Sequence, residues 1–516
     1  MLRVENLNIY PLHRPEQKIV KDLSFSLSPS ESLGIMGVSG SGKTLTTLAI
    51  LDCLPSDLKQ DGDISWFSRS FREYSSKEKQ LHRKKNIGYV FQDPSATFNP
   101  NLPLLDHFLF RMGSSYSKAY KPLKEILYQV GLDTAVPVER LQELPDSFSG
   151  GELQRLSFAL ALINKPALVI ADEPTTALDP IRQQEIVILA KKLVIQNTRK
   201  TALIWISHDF YVLKEVCDRI LIFDNGEIVE DIQAHKKWAT QHAVTQRLVR
   251  PFQCLAMHSS IRTKYVDKKE ILIKCTNLSK IHENRKTQQT KIALEDINFT
   301  LHKGDILALV GESGSGKTTL ASCLVGLYPY DKGSIKLSPL LKQKRGSLQL
   351  LFQNPYAAMN PYLTVREIIL EGLFYQDITK SEQERRLEKV CVTLNLPMEF
   401  LEKFPRHLSG GQIQRVALAR SFITFPNVLI LDEPTGNQDP LVEAQIIEEL
   451  LQLQQHYSLS YIFITHNLHI ATAIANQILV LHQGRVCDYG ATEKILQQPQ
   501  HPYTQKLLKA QNIPGS

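Results

Sequence analysis

The pattern GxxxxGK[ST] occurs twice in this chain, as GVSGSGKT at residues 37–44 and as GESGSGKT at residues 311–318. Each copy follows an apolar run of strand length, ESLGIMG in the first case and DILALVG in the second. Glycines at that spacing let successive backbone N–H groups turn inward on phosphate oxygens, and the helix expected next presents its positive N-terminal end. The first cradle would use Gly37, Val38, Ser39, Gly40, Ser41, Gly42, Lys43 and Thr44. The second would use Gly311, Glu312, Ser313, Gly314, Ser315, Gly316, Lys317 and Thr318. Lys43 and Lys317 are expected to reach the β- and γ-phosphates, and Thr44 and Thr318 to ligate Mg²⁺. Two such loops commit the chain to two strand–loop–helix units, and so to an α/β fold.

The rest of the sequence repeats with them. FQDPSATFNP (91–100) returns as FQNPYAAMNP (352–361), FSGGELQRLSFALAL (148–162) as LSGGQIQRVALARSF (408–422), and ALVIADEPTTALDP (167–180) as NVLILDEPTGNQDP (427–440). The offsets are nearly constant: 260 residues from Asp172 to Asp432, 261 from Gln92 to Gln353 and 258 from His208 to His466. Only the cradle departs, with 274 residues from Lys43 to Lys317, so the first half carries 13 more residues between cradle and glutamine. The surplus falls near WFSRSFREYSSKEKQLHRKK, read as a surface hairpin excursion. Two domains follow, residues 1–250 and 270–516, joined by a polar, basic linker over 251–269. Each alternates apolar strands with helices into a mostly parallel sheet. Leu123, Ile126, Leu127 and Val130, and again Leu387, Val390, Cys391 and Leu394, recur at helical spacing and are assigned to ordinary core packing.

Composition narrows the class. Hydrophobic residues are 43% and charged residues 22% of 516, the balance of a folded globular protein. A formal charge of +7 is modest at this length and requires no polyanionic partner, so no nucleic acid is expected. The seven cysteines form no CxxC pair and fit a reducing compartment. MLRVENLNIY lacks the apolar core of a signal peptide, and no 18-residue apolar stretch appears, so the chain is not expected to cross a membrane by itself.

LVIADE and LILDE each end an apolar strand in two acids. The first acid, Asp172 or Asp432, would hold the Mg²⁺ shell, and the second, Glu173 or Glu433, would accept a proton from or orient the attacking water. An SGG triplet stands about one helix upstream of each pair: Ser149, Gly150, Gly151 and Glu152 in the first half, Ser409, Gly410, Gly411 and Gln412 in the second. Cradle, SGG triplet and acid pair together resemble the ATP-binding cassette (ABC) ATPases, and the likeness covers nearly the whole chain. The resemblance implies two P-loop NTPase cassettes, each with a RecA-like parallel-sheet core, an antiparallel β subdomain and a helical subdomain. It implies ATP hydrolysis with ATP and Mg²⁺ as cofactors. It also implies head-to-tail pairing of the two cassettes, with the signature of one closing on the nucleotide of the other. One composite site would then join Lys43, Asp172, Glu173 and His208 to Ser409–Gln412, and the other Lys317, Asp432, Glu433 and His466 to Ser149–Glu152. Gln92 and Gln353 resemble the family's Mg²⁺-touching glutamines, and His208 and His466 its switch histidines. The chain departs from the pattern at Phe148 and Glu152, where leucine and glutamine are usual, and in the GNQD that ends at Asp439. Tyr10 and His282 are the candidates for stacking on adenine.

The QDP…NP segments and the QQPQHPYTQKLLKA tail, with its worn copy QHAVTQRLV at 241–249, resemble the oligopeptide, dipeptide and nickel importer branch. That implies a motor subunit on the cytoplasmic face of the inner membrane, working with two permeases and an extracytoplasmic solute-binding protein on peptides or nickel complexes. Members of the branch often carry a cysteine cluster after the first cassette. Only Cys254 lies there, so no iron–sulfur cluster is expected. The alternative is a soluble twin-cassette factor acting on the ribosome, although those carry a long charged helical linker that is missing here. A fused sugar-importer ATPase, a third option, usually has one degenerate cassette.

Overall fold

The computed structural model describes residues 1–132, 134–175, 179–195, 201–234, 242–249, 270–283, 290–436 and 440–511. The linker at 251–269, Cys254 and Asp439 lie outside them. The chain forms two compact units, one holding most of the described residues up to 249 and the other most of those from 270 on.

In the first unit the strands are β1 (Leu2–Pro11), β2 (Val20–Leu27), β3 (Ser32–Gly37), β4 (Leu58–Trp66), β5 (Arg69–Ser70), β6 (Ile87–Val90), β7 (Leu168–Asp172), β8 (Ala202–Ile206), β9 (Arg219–Asp224) and β10 (Glu227–Gln233). They make a four-stranded sheet in the order β2-β1-β4-β5 and a six-stranded sheet in the order β10-β9-β3-β8-β7-β6. The large sheet is parallel except for the edge pair β9–β10. Its register sets Leu33 beside Ile204 and Ile170 beside Ile204, which brings the C-terminal ends of β3, β7 and β8 to one rim. Loops at that rim of an open α/β sheet are where ligands bind.

Both faces of the large sheet are covered, so its strands read as unbroken apolar runs. Leu33, Ile35, Leu168, Ile170, Ile204, Leu221 and Phe223 face the antiparallel sheet and share a core with Val4, Ile9 and Trp66. Met36, Val169, Ala171, Leu203, Trp205, Ile220 and Ile222 face the helices. There they meet Leu123, Ile126 and Leu127 of the helix Tyr116–Gln129 and Val130 at its C-cap, the four positions read as core packing. Trp205 is fully buried, and its indole N–H has no partner among the described residues. Trp205→Ala is therefore expected to cost about 3–5 kcal/mol. Trp205→Phe, which places there the residue that Phe463 supplies in the second half, should cost far less because it also removes an orphaned donor. Urea unfolding followed in both variants checks this.

The second unit repeats the plan with β11 (Ile271–Glu283), β12 (Thr290–His302), β13 (Ile306–Val310), β14 (Lys332–Leu337), β15 (Leu348–Leu351), β16 (Val428–Asp432), β17 (Ser460–Thr465), β18 (Gln477–His482) and β19 (Arg485–Ala491). The sheets run β12-β11-β14 and β15-β16-β17-β13-β18-β19, so the large sheet has the same order and the same antiparallel edge. Leu387, Val390 and Cys391 lie buried on the helix Lys380–Thr393, with Leu394 buried at its C-cap.

The surplus segment of the first half is only partly a hairpin. Strands β4 and β5 do pair, Trp66 with Arg69, but a helix at Ser76–Asn86 follows. A capping box starts that helix: the Ser75 side chain accepts from Glu78 N–H and the Glu78 carboxylate accepts from Ser75 N–H. Arg83, Lys84 and Lys85 in its last turn suit the negative end of the helix dipole. Nor is the segment all surface, since His82 is buried with its ring against both Trp66 and the buried Phe71. Among the described residues no helix is long and apolar enough to cross a membrane.

Candidate nucleotide site

In both units the cradle leaves the central strand and opens directly into a helix, Lys43–Ile50 or Lys317–Leu324. Gly42 and Gly316 are the N-caps, with φ of 93° and 106°, a left-handed geometry that glycine takes without strain. Gly37 and Gly311 are held by crowding instead: a Cβ there would stand 2.4 Å from the Phe223 carbonyl oxygen and 2.1 Å from that of Leu481. Lys43 Nζ donates to the carbonyls of Gly37 and Val38, both at 2.9 Å, and Lys317 Nζ to those of Gly311 and Glu312 at 2.9 and 2.7 Å. Each lysine thus bridges back across its own loop. Burial lowers the pKa of Lys317, against the charges of Glu433 and Asp432.

The acid pairs end β7 and β16 beside these loops. Burial raises the pKa of Asp172 and Asp432, although Thr44 and Thr318 hydrogen-bond to them and the cradle lysines lie near. A folded-state pKa above the unfolded one means that the native state binds the proton more tightly. Stability is then lost as pH climbs from the ordinary aspartate value through the raised one, and the penalty is complete at neutral pH. Asp172→Asn and Asp432→Asn are accordingly expected to raise the nucleotide-free melting temperature at pH 7, with the gain vanishing near about pH 3. Thermal scans at the two pH values test it.

Glu173 and Glu433 occupy left-handed backbone, φ 45° and 46°, which is strained for a residue with a side chain. Their N–H groups donate to the carbonyls of Ile206 and Ile464, both at 3.0 Å, which fixes the turn after each acid strand. Gln92 Nε2 lies 3.1 Å from Glu173 Oε2, and Gln353 Nε2 2.8 Å from Glu433 Oε2. His208 Nδ1 is 3.6 Å from Glu173 Oε2, and His466 Nδ1 3.4 Å from Glu433 Oε1. For Glu433 burial acts upward, but His466, Lys317 and Gln353 outweigh it and hold the carboxyl below its usual value. The structure thus gathers cradle, acid pair, glutamine and histidine at one rim in each unit, with both glutamines standing on the second acid.

The signature residues sit elsewhere in their own unit. Ser149 and Ser409 are N-caps of the helices Gly150–Leu162 and Gly410–Phe422, each in a capping box with Glu152 or Gln412. Gly150, Gly410 and Gly411 need neither positive φ nor space, because an added Cβ would meet no atom within 4 Å. Their bare backbone is open to an incoming group. At Glu152 the departure from glutamine has a partner: Arg140 Nη1 lies 2.7 Å from its carboxylate, and the same guanidinium stacks 4.5 Å over the Phe148 ring. In the second half Phe400 stands at the place of Arg140.

Other residues of the site are assigned no role from the sequence. Gln154 and Gln414, matched in the repeat, donate at 2.6 Å to the carbonyls of Pro174 and Pro434 and so tie each signature helix to its acid turn. Tyr89 OH lies 3.1 Å from Asp172 and 3.3 Å from Thr47 Oγ1, and burial raises its pKa. Leu350 and Ala321 stand at the matching places of the second half, so that relay has no counterpart there. Of the adenine-stacking candidates, Tyr10 hydrogen-bonds to Asp61 at 2.9 Å, and His282 packs edge-on to Tyr328, ring centres 5.6 Å apart.

The donor set fits a magnesium–nucleotide. Ser41 Oγ and Ser315 Oγ are buried inside the cradles without a partner among the described residues, and each buried aspartate shares a threonine hydroxyl, the hard-oxygen chemistry that Mg²⁺ takes.

The sequence model of the ABC transporter family, ABC_tran, matches residues 20–176 and 294–436. The chain belongs to that family, and its two matched regions are ATPase domains. It is 34% identical over 540 residues to the "Uncharacterized ABC transporter ATP-binding protein YejF" of Escherichia coli K12, covering 98% of this chain and 99% of that protein. It is 33% identical over 561 residues to the "Glutathione import ATP-binding protein GsiA" of Escherichia coli O6:H1, covering 99% and 89%. Among solved structures the "RNase-L Inhibitor" shares the two-unit fold, with a TM-score of 0.64, 18% identity and coverage of 92% and 88%.

Proposed function

We propose that this chain is the motor subunit of an ABC importer, two cassettes over residues 1–250 and 270–516 joined through 251–269. The observation that carries the reading is that both rims hold an intact cradle lysine, acid pair, glutamine and histidine. Lys43 and Lys317 hold the β- and γ-phosphates, together with the amides of residues 37–44 and 311–318. Thr44, Asp172 and Gln92, and Thr318, Asp432 and Gln353, hold Mg²⁺. When bound, that ion neutralises charge on the phosphates. Glu173 and Glu433 orient and deprotonate the attacking water, and His208 and His466 keep those carboxylates placed. Ser149–Glu152 and Ser409–Gln412 receive the γ-phosphate held by the opposite cassette, which explains glycines that their own unit does not need. Catalysis is positioning and charge neutralisation, with no covalent intermediate on the protein.

The 33% identity to a glutathione import protein over nearly the whole chain supports import and a peptide class of solute. In this reading the chain works at the cytoplasmic face of the inner membrane on two permeases, served by an extracytoplasmic binding protein. Co-purification tests it: membrane permeases should accompany the tagged chain, whereas recovery with ribosomes would replace this reading by the translation-factor one.

A further inference from the structure

A helix late in the second half packs into the core through Leu507 and Leu508 and also reaches its own nucleotide site. The helix spans Pro502–Ala510. Asp488 on β19 accepts from the N–H groups of Gln500 and His501 at 3.3 and 3.0 Å, which anchors the approach. His501 is the N-cap, its Nδ1 accepting from Tyr503 N–H at 3.1 Å, and Pro502 takes the first helical position, where its fixed φ suits a helix. Tyr503 is buried, and its hydroxyl accepts the backbone N–H of Glu312, inside the cradle, at 3.0 Å. Its ring lies flat on His482, centres 3.9 Å apart, and His482 Nδ1 stands 4.0 Å from the Glu312 carboxylate. Just past the helix, the Gln511 side chain accepts from Leu468 N–H at 2.6 Å and donates to the His466 carbonyl at 2.9 Å.

We infer that this C-terminal helix is a strap for the second nucleotide site, in which Tyr503 positions the phosphate cradle and Gln511 positions the histidine loop. The inference rests on the reading of residues 311–318 as the ATP cradle. The helix and the residue that caps it then fix two segments that must stay in register, the loop that grips the phosphates and the loop that carries His466, 3.4 Å from Glu433. Ordering the cradle beforehand lowers the entropy that nucleotide binding must overcome.

The first half shows what the strap adds. Its tail keeps the cap, with His242 Nδ1 accepting from Val244 N–H at 3.3 Å, and a helix at Ala243–Val249. It lacks the rest: Ala243 stands for Pro502, Val244 for Tyr503, Asp224 for His482 and Val38 for Glu312. A valine offers no acceptor, so the first cradle is not held in this way. In the HPYT stretch His501 thus caps the helix, Pro502 starts it and Tyr503 reaches the cradle.

The test uses the full chain with Mg²⁺ and 8-azido-ATP, photolabelled, digested with trypsin, and scored on peptides from each half. Tyr503→Phe keeps the ring on His482 and removes the acceptor. Half-saturation of the second-half label is expected to rise about 3- to 10-fold, with the first half unmoved. Gln511→Ala should leave both labelling curves in place and lower kcat for ATP by a similar factor. Gln511→Glu, which keeps an acceptor for Leu468 but no donor for His466, should behave like Gln511→Ala. Unchanged curves for Tyr503→Phe, or equal shifts in both halves, would overturn the strap. So would a Gln511 series whose kcat matches the parent. If Tyr503→Phe melts early, the Gln511 pair decides alone, because Gln511 lies outside the helix and half-exposed. Should the parent protein fail to label saturably in either half, the ATP assignment itself fails, a result distinct from loss of the strap.

Discussion

Replacing Glu173 and Glu433 together by glutamine is expected to leave ATP binding in place and to slow phosphate release by about 100-fold or more. The substitution keeps the shape of the side chain and its acceptor oxygen while removing the basic carboxylate. At Glu433 the substitution also removes a charge that His466, Lys317 and Gln353 stabilise against burial, holding the carboxyl below its usual value. The strained turn at φ 45° and 46° persists in the variant, since glutamine has the same backbone demands as glutamate. ATP should therefore accumulate on the protein unhydrolysed, and retention on a desalting column beside a phosphate assay measures both quantities. Release at the parent rate would remove both residues from the chemistry.

The second large effect is expected at the cradle lysines. Lys43→Ala or Lys317→Ala should weaken MgATP binding at the affected site by about 10- to 100-fold, the size of a lost charged hydrogen bond. Each lysine also braces its loop through two backbone carbonyls, so alanine leaves the cradle less ordered as well as less positive. Arginine does not restore the site, because a planar guanidinium cannot repeat the two short contacts of a buried ammonium. A fluorescent-nucleotide titration reads the change directly. Equal affinity in parent and variant would place the phosphates elsewhere.

Much of this site is legible in the sequence because the chain states it twice. A strand, a glycine loop and a helix in sequence leave little choice of backbone, and matched offsets place the acids, glutamines and histidines in both halves. Ser149 and Ser409 can be read as helix starts because their side chains and residues three further on form reciprocal caps. What the sequence hides depends on long-range packing. Tyr89 meets Asp172 across 83 residues of sequence, and Gln154 meets Pro174 only after the signature helix has folded onto the acid turn. The left-handed φ of Glu173 and Glu433 is imposed by the tertiary structure against the preference of the residue. The segment around Ser75 reads as a hairpin alone because its first residues do form one; the Ser75–Glu78 capping box, three residues apart, is the sign of a helix that the hairpin pattern masks.

Arg140 has a consequence for how the two halves can diverge. One guanidinium neutralises Glu152 and covers the face of Phe148, so the three positions are coupled. Glutamine at 152 alone would leave Glu143, 3.5 Å away, as the remaining carboxylate beside Arg140, and leucine at 148 alone would strip the guanidinium of its flat support. A change at 148 or 152 therefore also alters what Arg140 rests on, a coupling that the second half, with Phe400 at that place, does not share.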